Sequence, residues 1–335
     1  MNSFLDYKNS VLFLGAGFSK AFSDEMPLMA ELSKMLKESN DIVSPEIIQS
    51  FGDDIELLLT HLIQDSPWKQ PEEAFEDQAK FIRISKWLCE IISGCEDKAF
   101  KNASKPWAEI LVKYLHENKI PVITLNYDTI LERLSYKYIK IDDNHGLPSF
   151  ELYQMPIANI ISRSRALLSS RKIDSFHLVK LHGSINWFSS GSNIYDGEQL
   201  YFRPVDSLSP LIDHEKNKDF FLRESSDKYP FIIPPVSEKS SFYRNLTIKS
   251  LWRDAKRYLF NAGILFFVGY SLPETDLTIR LLFKNISSGE KKVIYLVNSE
   301  SNKEKMNKLE DSFKSNFLGS EINKTFFGKK NAVEE

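Results

Sequence analysis

The chain has 335 residues, 42% of them hydrophobic and 27% charged, with a formal net charge of -3. That length allows one large α/β domain or a core with a second lobe, and the charge balance excludes a general attraction to nucleic acid or to an anionic membrane. No apolar stretch reaches the length of a membrane span, and two cysteines, Cys89 and Cys95, suit a reducing compartment and are too few for a four-ligand zinc site.

Met1 to Ser10 is polar and acidic with none of the character of a secretion signal, so a cytoplasmic protein is expected. An apolar run then breaks into glycine at Val11-Leu12-Phe13-Leu14-Gly15-Ala16-Gly17-Phe18-Ser19, the pattern of a buried strand delivering a tight turn. Two glycines before a helix let a backbone approach a phosphate, and the helix start offers unpaired N–H groups to it. The third glycine of the dinucleotide fingerprint is absent, its place taken by Lys20, and Gly-x-Gly alone also fits a plain turn. A helix opening at Met26, with Leu28, Leu32 and Met35 on one face, completes strand, loop and helix.

From about Asp53 to Gly94 apolar residues recur at helical spacing (Ile55, Leu58, Leu59, Leu62, then Phe81, Ile84, Leu88, Ile91), which predicts a helical lobe over about 45–105. A helix over Trp107 to Asn118, a short buried strand Ile120 to Leu125 and a helix Asp128 to Tyr138 follow. A helical piece is expected around Ile160 to Leu168 and a strand at His177 to His182. Between about 189 and 235 turn residues are frequent and periodicity is poor, the mark of an irregular insertion carrying short strands. Its aromatics Phe220, Phe221, Tyr229 and Phe231 suit core packing or a contact surface. The last third reads as helix Phe242 to Phe260, strand Ile264 to Val268, helix from about Glu274, strand Lys292 to Val297 and helix Lys303 to Phe317. Strands alternating with helices predict an α/β fold, a Rossmann-like doubly wound parallel sheet within a single domain over 1–335. Ligands of such sheets bind beyond the carboxyl ends of the strands.

Five strand ends carry polar clusters: Gly15 to Ser19, Thr124 to Asp128, Leu181-His182-Gly183-Ser184, Gly269-Tyr270-Ser271 and Val297-Asn298-Ser299-Glu300. Each has a bland explanation. Asn126 and Asp128 suit a helix cap, His182 before glycine suits a turn, and Asn298 suits a cap or turn. Their joint placement at one edge of a parallel sheet is the composition of a nucleotide site.

In this order the motifs resemble those of sirtuin-like proteins, and the resemblance spans nearly the whole chain. Leu-His-Gly-Ser-Ile-Asn-Trp at 181–187 and Gly-Tyr-Ser-Leu-Pro at 269–273 are similar to a bacterial sirtuin-like branch that works in antiphage defence. The resemblance implies that Gly15, Ala16, Gly17 and Ser19 hold the NAD pyrophosphate and that Asn126 and Asp128 stand beside nicotinamide and its ribose. It further implies that His182 is the catalytic histidine, that Gly269 and Ser271 form a second nucleotide-binding turn, and that Asn298 holds the adenosine ribose. The sequence departs from the protein-deacylating members in three places. It has no paired Cys-x-x-Cys zinc ribbon, it has Leu125 where they carry glutamine, and Lys20 to Glu25 lacks their Pro-Asp-Phe-Arg pattern.

These departures lead to the expectation of an NAD hydrolase without zinc. It would cleave the nicotinamide–ribose bond to nicotinamide and ADP-ribose or cyclic ADP-ribose, and deplete NAD in abortive infection. A non-catalytic NAD or ADP-ribose sensor and an NAD-dependent deacylase are the alternatives. A dehydrogenase would need a complete fingerprint and an acidic residue ending the second strand. A free NAD hydrolase harms its own cell, so assembly into a homo-oligomer is expected. The resemblance adds a separate ATPase or sensor partner, and neither nucleic acid nor membrane is expected to bind.

Overall fold

A computed structural model of the chain describes residues 9–64, 66–102, 105–143, 145–155, 158–159, 173–190, 200–205, 228–233, 242–273, 276–286, 291–299, 303–317 and 319–327. Strand β1 (Ser10–Leu14) is buried along its whole length, as an unbroken apolar run between two helical layers requires. Gly15 then stands at the N-cap of α1 (Ala16–Phe22). The helix expected from Met26 is α2 (Met29–Glu38). It starts later because the Glu31 carboxylate accepts from Leu28 N at 2.6 Å and fixes Leu28 as the cap, leaving Pro27 outside.

The next stretch is helical: α3 (Pro45–Ser50), α4 (Ile55–Ile63) and the 32-residue α5 (Pro71–Asn102). Asp54 caps α4, its carboxylate accepting from Glu56 N at 2.8 Å. Between α4 and α5, Lys69 bridges to Asp77 at 3.0 Å. Helix α6 (Pro106–Asn118), strand β2 (Val122–Thr124), α7 (Ile130–Tyr138) and the short α8 (Ser149–Tyr153) follow.

Strands β3 (Ala158–Asn159), β4 (Leu178–Lys180), β5 (Gly183–Ser190), β6 (Leu200–Phe202) and β7 (Lys228–Ile232) occupy the middle of the chain. The last third contains α9 (Leu246–Asn261), β8 (Ile264–Val268), α10 (Leu277–Ile286), β9 (Val293–Ser299), α11 (Lys303–Asn316) and β10 (Glu321–Phe327).

Six strands form one parallel sheet in the order β10-β9-β8-β1-β2-β4. Numbered by appearance along the chain the order is 6-5-4-1-2-3, the doubly wound arrangement, whose direction reverses between β1 and β8. The α/β reading therefore holds. The edge strand β10 was not expected. Glu321 to Phe327 alternates polar and apolar residues only loosely, and it becomes a strand by pairing with all of β9.

On one side of the sheet Phe13 packs against Phe267 at 5.2 Å and Tyr270 at 5.0 Å, and Phe267 against Phe313 at 4.5 Å. Each phenyl ring buried there contributes about 1.5–3 kcal/mol.

Four strands build a second, mixed sheet, ordered β3-β6-β5-β7. It draws on the expected insertion, of which residues 191–199, 206–227 and 234–235, Phe220 and Phe221 among them, lie outside the described residues, as does the helical piece at 160–168. Phe231 is buried in the core and Tyr229 is exposed.

Candidate active site

Strand register brings the predicted residues to one edge. Leu14 pairs with Thr124 and Val268, Thr124 with Lys180, and Val268 with Val297. The chain therefore leaves four neighbouring strands at the same height, with Gly15, Leu125, Leu181 and Gly269 one residue beyond that row, and Asn298 stands one residue beyond it near the end of β9. Asn126 and His182 stand two beyond, on adjacent strands.

At the reversal point the loops after β1 and β8 touch through backbone. Gly15 N donates to Val268 O at 3.0 Å and Gly17 N to Gly269 O at 2.9 Å. A Cβ on Gly15 would lie 2.6 Å from Gly269 O, and one on Gly17 2.7 Å from Gly269 Cα. Gly269 has φ +64°, in the left-handed region, and a Cβ there would meet Phe18 N at 2.2 Å. The glycines are thus required by each other, a reason independent of any phosphate. Lys20 turns away and pairs with Glu31 at 2.8 Å. Ser271 is exposed, and Asn298 Oδ1 accepts from Ser299 N at 2.9 Å.

Ser19, Asn126 and Asp128 form one hydrogen-bonded cluster. Ser19 Oγ donates to Asp128 Oδ2 at 2.5 Å, and Asn126 Nδ2 donates to Ser19 Oγ and to Gly15 O, both at 2.9 Å. The capping explanation is realised in part, because Asp128 Oδ1 also accepts from Ile130 N at 3.3 Å. Ala16, between the two glycines, is the first residue of α1 and about one turn ahead of Ser19.

His182 is buried. Its carbonyl accepts from Ile233 N at 2.8 Å, and Tyr127 Oη donates to Ile233 O at 2.8 Å. Gly183, with φ +77°, lets β7 approach so closely that a Cβ would lie 2.2 Å from Phe231 O. The second sheet therefore fixes the backbone on which His182 and Asn126 stand side by side.

Behind the cluster lies a charged layer that sequence reasoning missed. Lys180, fully buried, pairs with Glu132 at 2.9 Å and donates to the carbonyl of Asp128. Tyr153 Oη donates to the same Glu132 oxygen at 3.0 Å, and Asn186 Nδ2 reaches Tyr153 Oη at 3.1 Å. On another side Glu96 accepts from Thr129 N and, at 2.8 Å, from Thr129 Oγ1. A signal was present, since Lys180 sits between Val179 and Leu181 in a strand with no other charge, and a charge in a buried strand needs a partner.

Burial raises the Asp128 carboxyl above its ordinary value, while Lys180 and the Ser19 hydroxyl pull it back. Burial also pushes Glu96 up to about 8, with the negative charge of Asp128 adding to the rise. Cys89 is raised to about 12 by burial, which leaves it an inert thiol. A hollow of about 10 Å³ lies among Phe18, Asn126, Asp128, Glu132 and Lys180, room for about one water. Among the described residues no cluster of three or more His, Cys, Asp or Glu could hold a metal ion, and no helix is long and apolar enough to cross a membrane.

Fold and edge define a doubly wound α/β protein with a polar cluster where such sheets bind ligands. The model of the SIR2-like domain matches residues 121–318, well over half of the chain. The chain belongs to that family. The matched span holds β2 through β9 and the sites at Asn126, Asp128, His182, Gly269, Ser271 and Asn298, whereas the turn from Gly15 to Ser19 precedes it. A structure solved for "Structural Basis for the Mechanism and Regulation of Sir2 Enzymes" is 13% identical, covering 91% of this chain and 92% of that one with a TM-score of 0.36. Sir2 in complex with the inhibitor EX-527, 2'-O-acetyl-ADP-ribose and a deacetylated p53 peptide is 17% identical, covering 88% and 86% with a TM-score of 0.36. Superpositions this loose carry no argument about the site. No curated protein matches the sequence.

Proposed function

We propose that this chain hydrolyses NAD, breaking the bond between nicotinamide and ribose. The observation that supports it is the gathering of Ser19, Asn126 and Asp128 into one cluster at the carboxyl edge, with His182 on the neighbouring strand.

Nicotinamide in NAD is a cationic leaving group, so catalysis consists of stabilising oxocarbenium-like charge and admitting a nucleophile. Zinc has no step to perform in that chemistry. The C–N bond electrons return to the nicotinamide ring, water adds at the ribose carbon, and the proton of water passes to His182, whose ordinary pKa suits a base near neutrality. Asn126 orients water and ribose, and Asp128 faces the nicotinamide amide or the developing cation. Gly15, Ala16, Gly17 and Ser19 carry the pyrophosphate side, with Gly269, Ser271 and Asn298 toward the adenosine. ADP-ribose is the product, or cyclic ADP-ribose where a group of the nucleotide itself replaces water. Depletion of NAD in the cytoplasm of an infected bacterium, under control of a separate ATPase or sensor protein, is the role proposed for the reaction.

The hollow beside Asn126 and Asp128 has room for about one water and not for a nicotinamide ring. In this reading the Ser19–Asp128 bond opens to admit substrate. The same closure favours a second reading, a sensor that binds NAD or ADP-ribose without turnover. Mass spectrometry of NAD incubated with the full chain, alone and with proteins encoded beside it, distinguishes them. Hydrolysis predicts release of nicotinamide, lost by at least about a hundredfold in Asn126→Ala and His182→Ala while both variants keep the wild-type circular dichroism. Intact NAD bound by wild type and by His182→Ala alike identifies the sensor. An acylated peptide in the same assay separates hydrolysis from acyl transfer.

A further inference from the structure

Helix α9 carries four cations and one carboxylate, and its basic residues are not spread evenly. Lys249, Trp252, Arg253 and Lys256 each have others of the set three or four residues away, so they share one helix face. Of these cations none meets a carboxylate among the described residues, whereas Arg257, off that face, pairs with Asp254 at 2.7 Å. Trp252 packs edge-on against Tyr243 at 5.3 Å. The two rings, with Lys249, Arg253 and Thr278, line an apolar groove of about 250 Å³. Leu246 on α9 and Leu277 and Leu281 on α10, the helices that supply Lys249 and Thr278, are each more than half exposed. Single exposed apolar side chains are ordinary, but a groove lined by two aromatic rings and by two cations that meet no carboxylate among the described residues has the composition of a contact surface.

The complementary surface lies on the same chain. Glu72, Phe75, Glu76 and Ala79 are spaced in the same way on the first turns of α5, all exposed, with Phe75 at 72%. Among the described residues Glu72 meets no cation, and Glu76 meets only Lys80 at 3.9 Å. Trp68, 71% exposed just before the helix, adds a second ring. One face is an aromatic between two exposed carboxylates, and the other is an aromatic groove between two cations that meet no carboxylate among the described residues.

We propose that the groove on α9 receives the acidic face of α5 from a second copy of this chain. Phe75 lies in the groove against the exposed sides of Tyr243 and Trp252, while Glu72 and Glu76 meet Lys249 and Arg253. The two surfaces differ, so the contact is head-to-tail, and repeating it closes a ring or extends a filament. The inference does not depend on the reaction at the sheet edge.

Sedimentation velocity of the full chain tests it without NAD. Wild type should grow from monomer to larger species between micromolar and high-micromolar concentration, and salt should weaken the association. Lys249→Glu with Arg253→Glu in one variant, and Glu72→Lys with Glu76→Lys in another, should each weaken association by at least about a hundredfold. An equimolar mixture of the two variants restores opposite charge at both contacts and should assemble again. Wild type that stays monomeric throughout, a variant that assembles alone as wild type does, or a mixture of folded variants that stays monomeric would each overturn the proposal.

Discussion

Two adjoining loop systems of this molecule are built on opposite principles. At the reversal point, the turns after β1 and β8 meet each other through backbone, glycine against glycine, with no charged group in that contact. One strand over, the Asn126–Asp128 loop is held from behind by buried ionisable groups, Lys180, Glu132 and Glu96. Backbone packing gives a fixed geometry that solution conditions barely touch. Buried charge gives a geometry whose strength depends on protonation and on every partner being present.

The largest effect should come from Lys180→Met. It leaves the Glu132 carboxylate buried without its cation and frees the Asp128 carbonyl, a loss of about 3–5 kcal/mol. Combining it with Glu132→Gln should recover part of that loss, because the stranded charge is gone. Urea denaturation of single and double variants measures both, and equal midpoints for Lys180→Met and wild type would sink the idea of a charge-held loop.

Gly269→Ala should cost less, about 2–4 kcal/mol, from a left-handed φ and a Cβ forced against Phe18 N. Its cost should be independent of pH between 5 and 8, a range in which no group of that contact titrates. A pH-dependent difference from wild type would show that charge reaches the reversal point as well.

The smallest effect, and the most discriminating, is the pH dependence of the native protein. Glu96 binds its proton more tightly folded, at about 8 against an ordinary 4.5. Its contribution to stability is therefore complete below about 4.5 and is lost as pH rises through about 8. Glu96→Gln should flatten that slope. After correction for the intrinsic effect of pH, hydrogen exchange should quicken with rising pH in the amides of residues 126–130. Those of residues 15–19 should hold steady. Equal behaviour of the two segments would erase the distinction between them.

The same contrast explains what the sequence could reveal. The apolar run Val11 to Leu14 and the alternation of strands and helices announce a doubly wound sheet, because burial on both faces leaves a continuous hydrophobic stretch. Strand register then gathers Asn126 and His182 without further information. Glu132 and Glu96 were illegible because each sits on a helix among other charges, and only tertiary packing selects which carboxylate faces inward. Lys180 offered a hint in its apolar strand. Strand β10 was hidden for a related reason, since Glu321 to Phe327 owes its conformation to β9 rather than to its own pattern.

The interlocked glycines at 15, 17 and 269 bear on how such a chain can change over time. None of the three can acquire a side chain while the other two keep their places, so substitution at one stalls until its neighbours move. Their retention in a descendant would record a shared architectural lock. It would persist in a chain that had lost every affinity for a nucleotide, and these glycines therefore cannot serve as a marker for one.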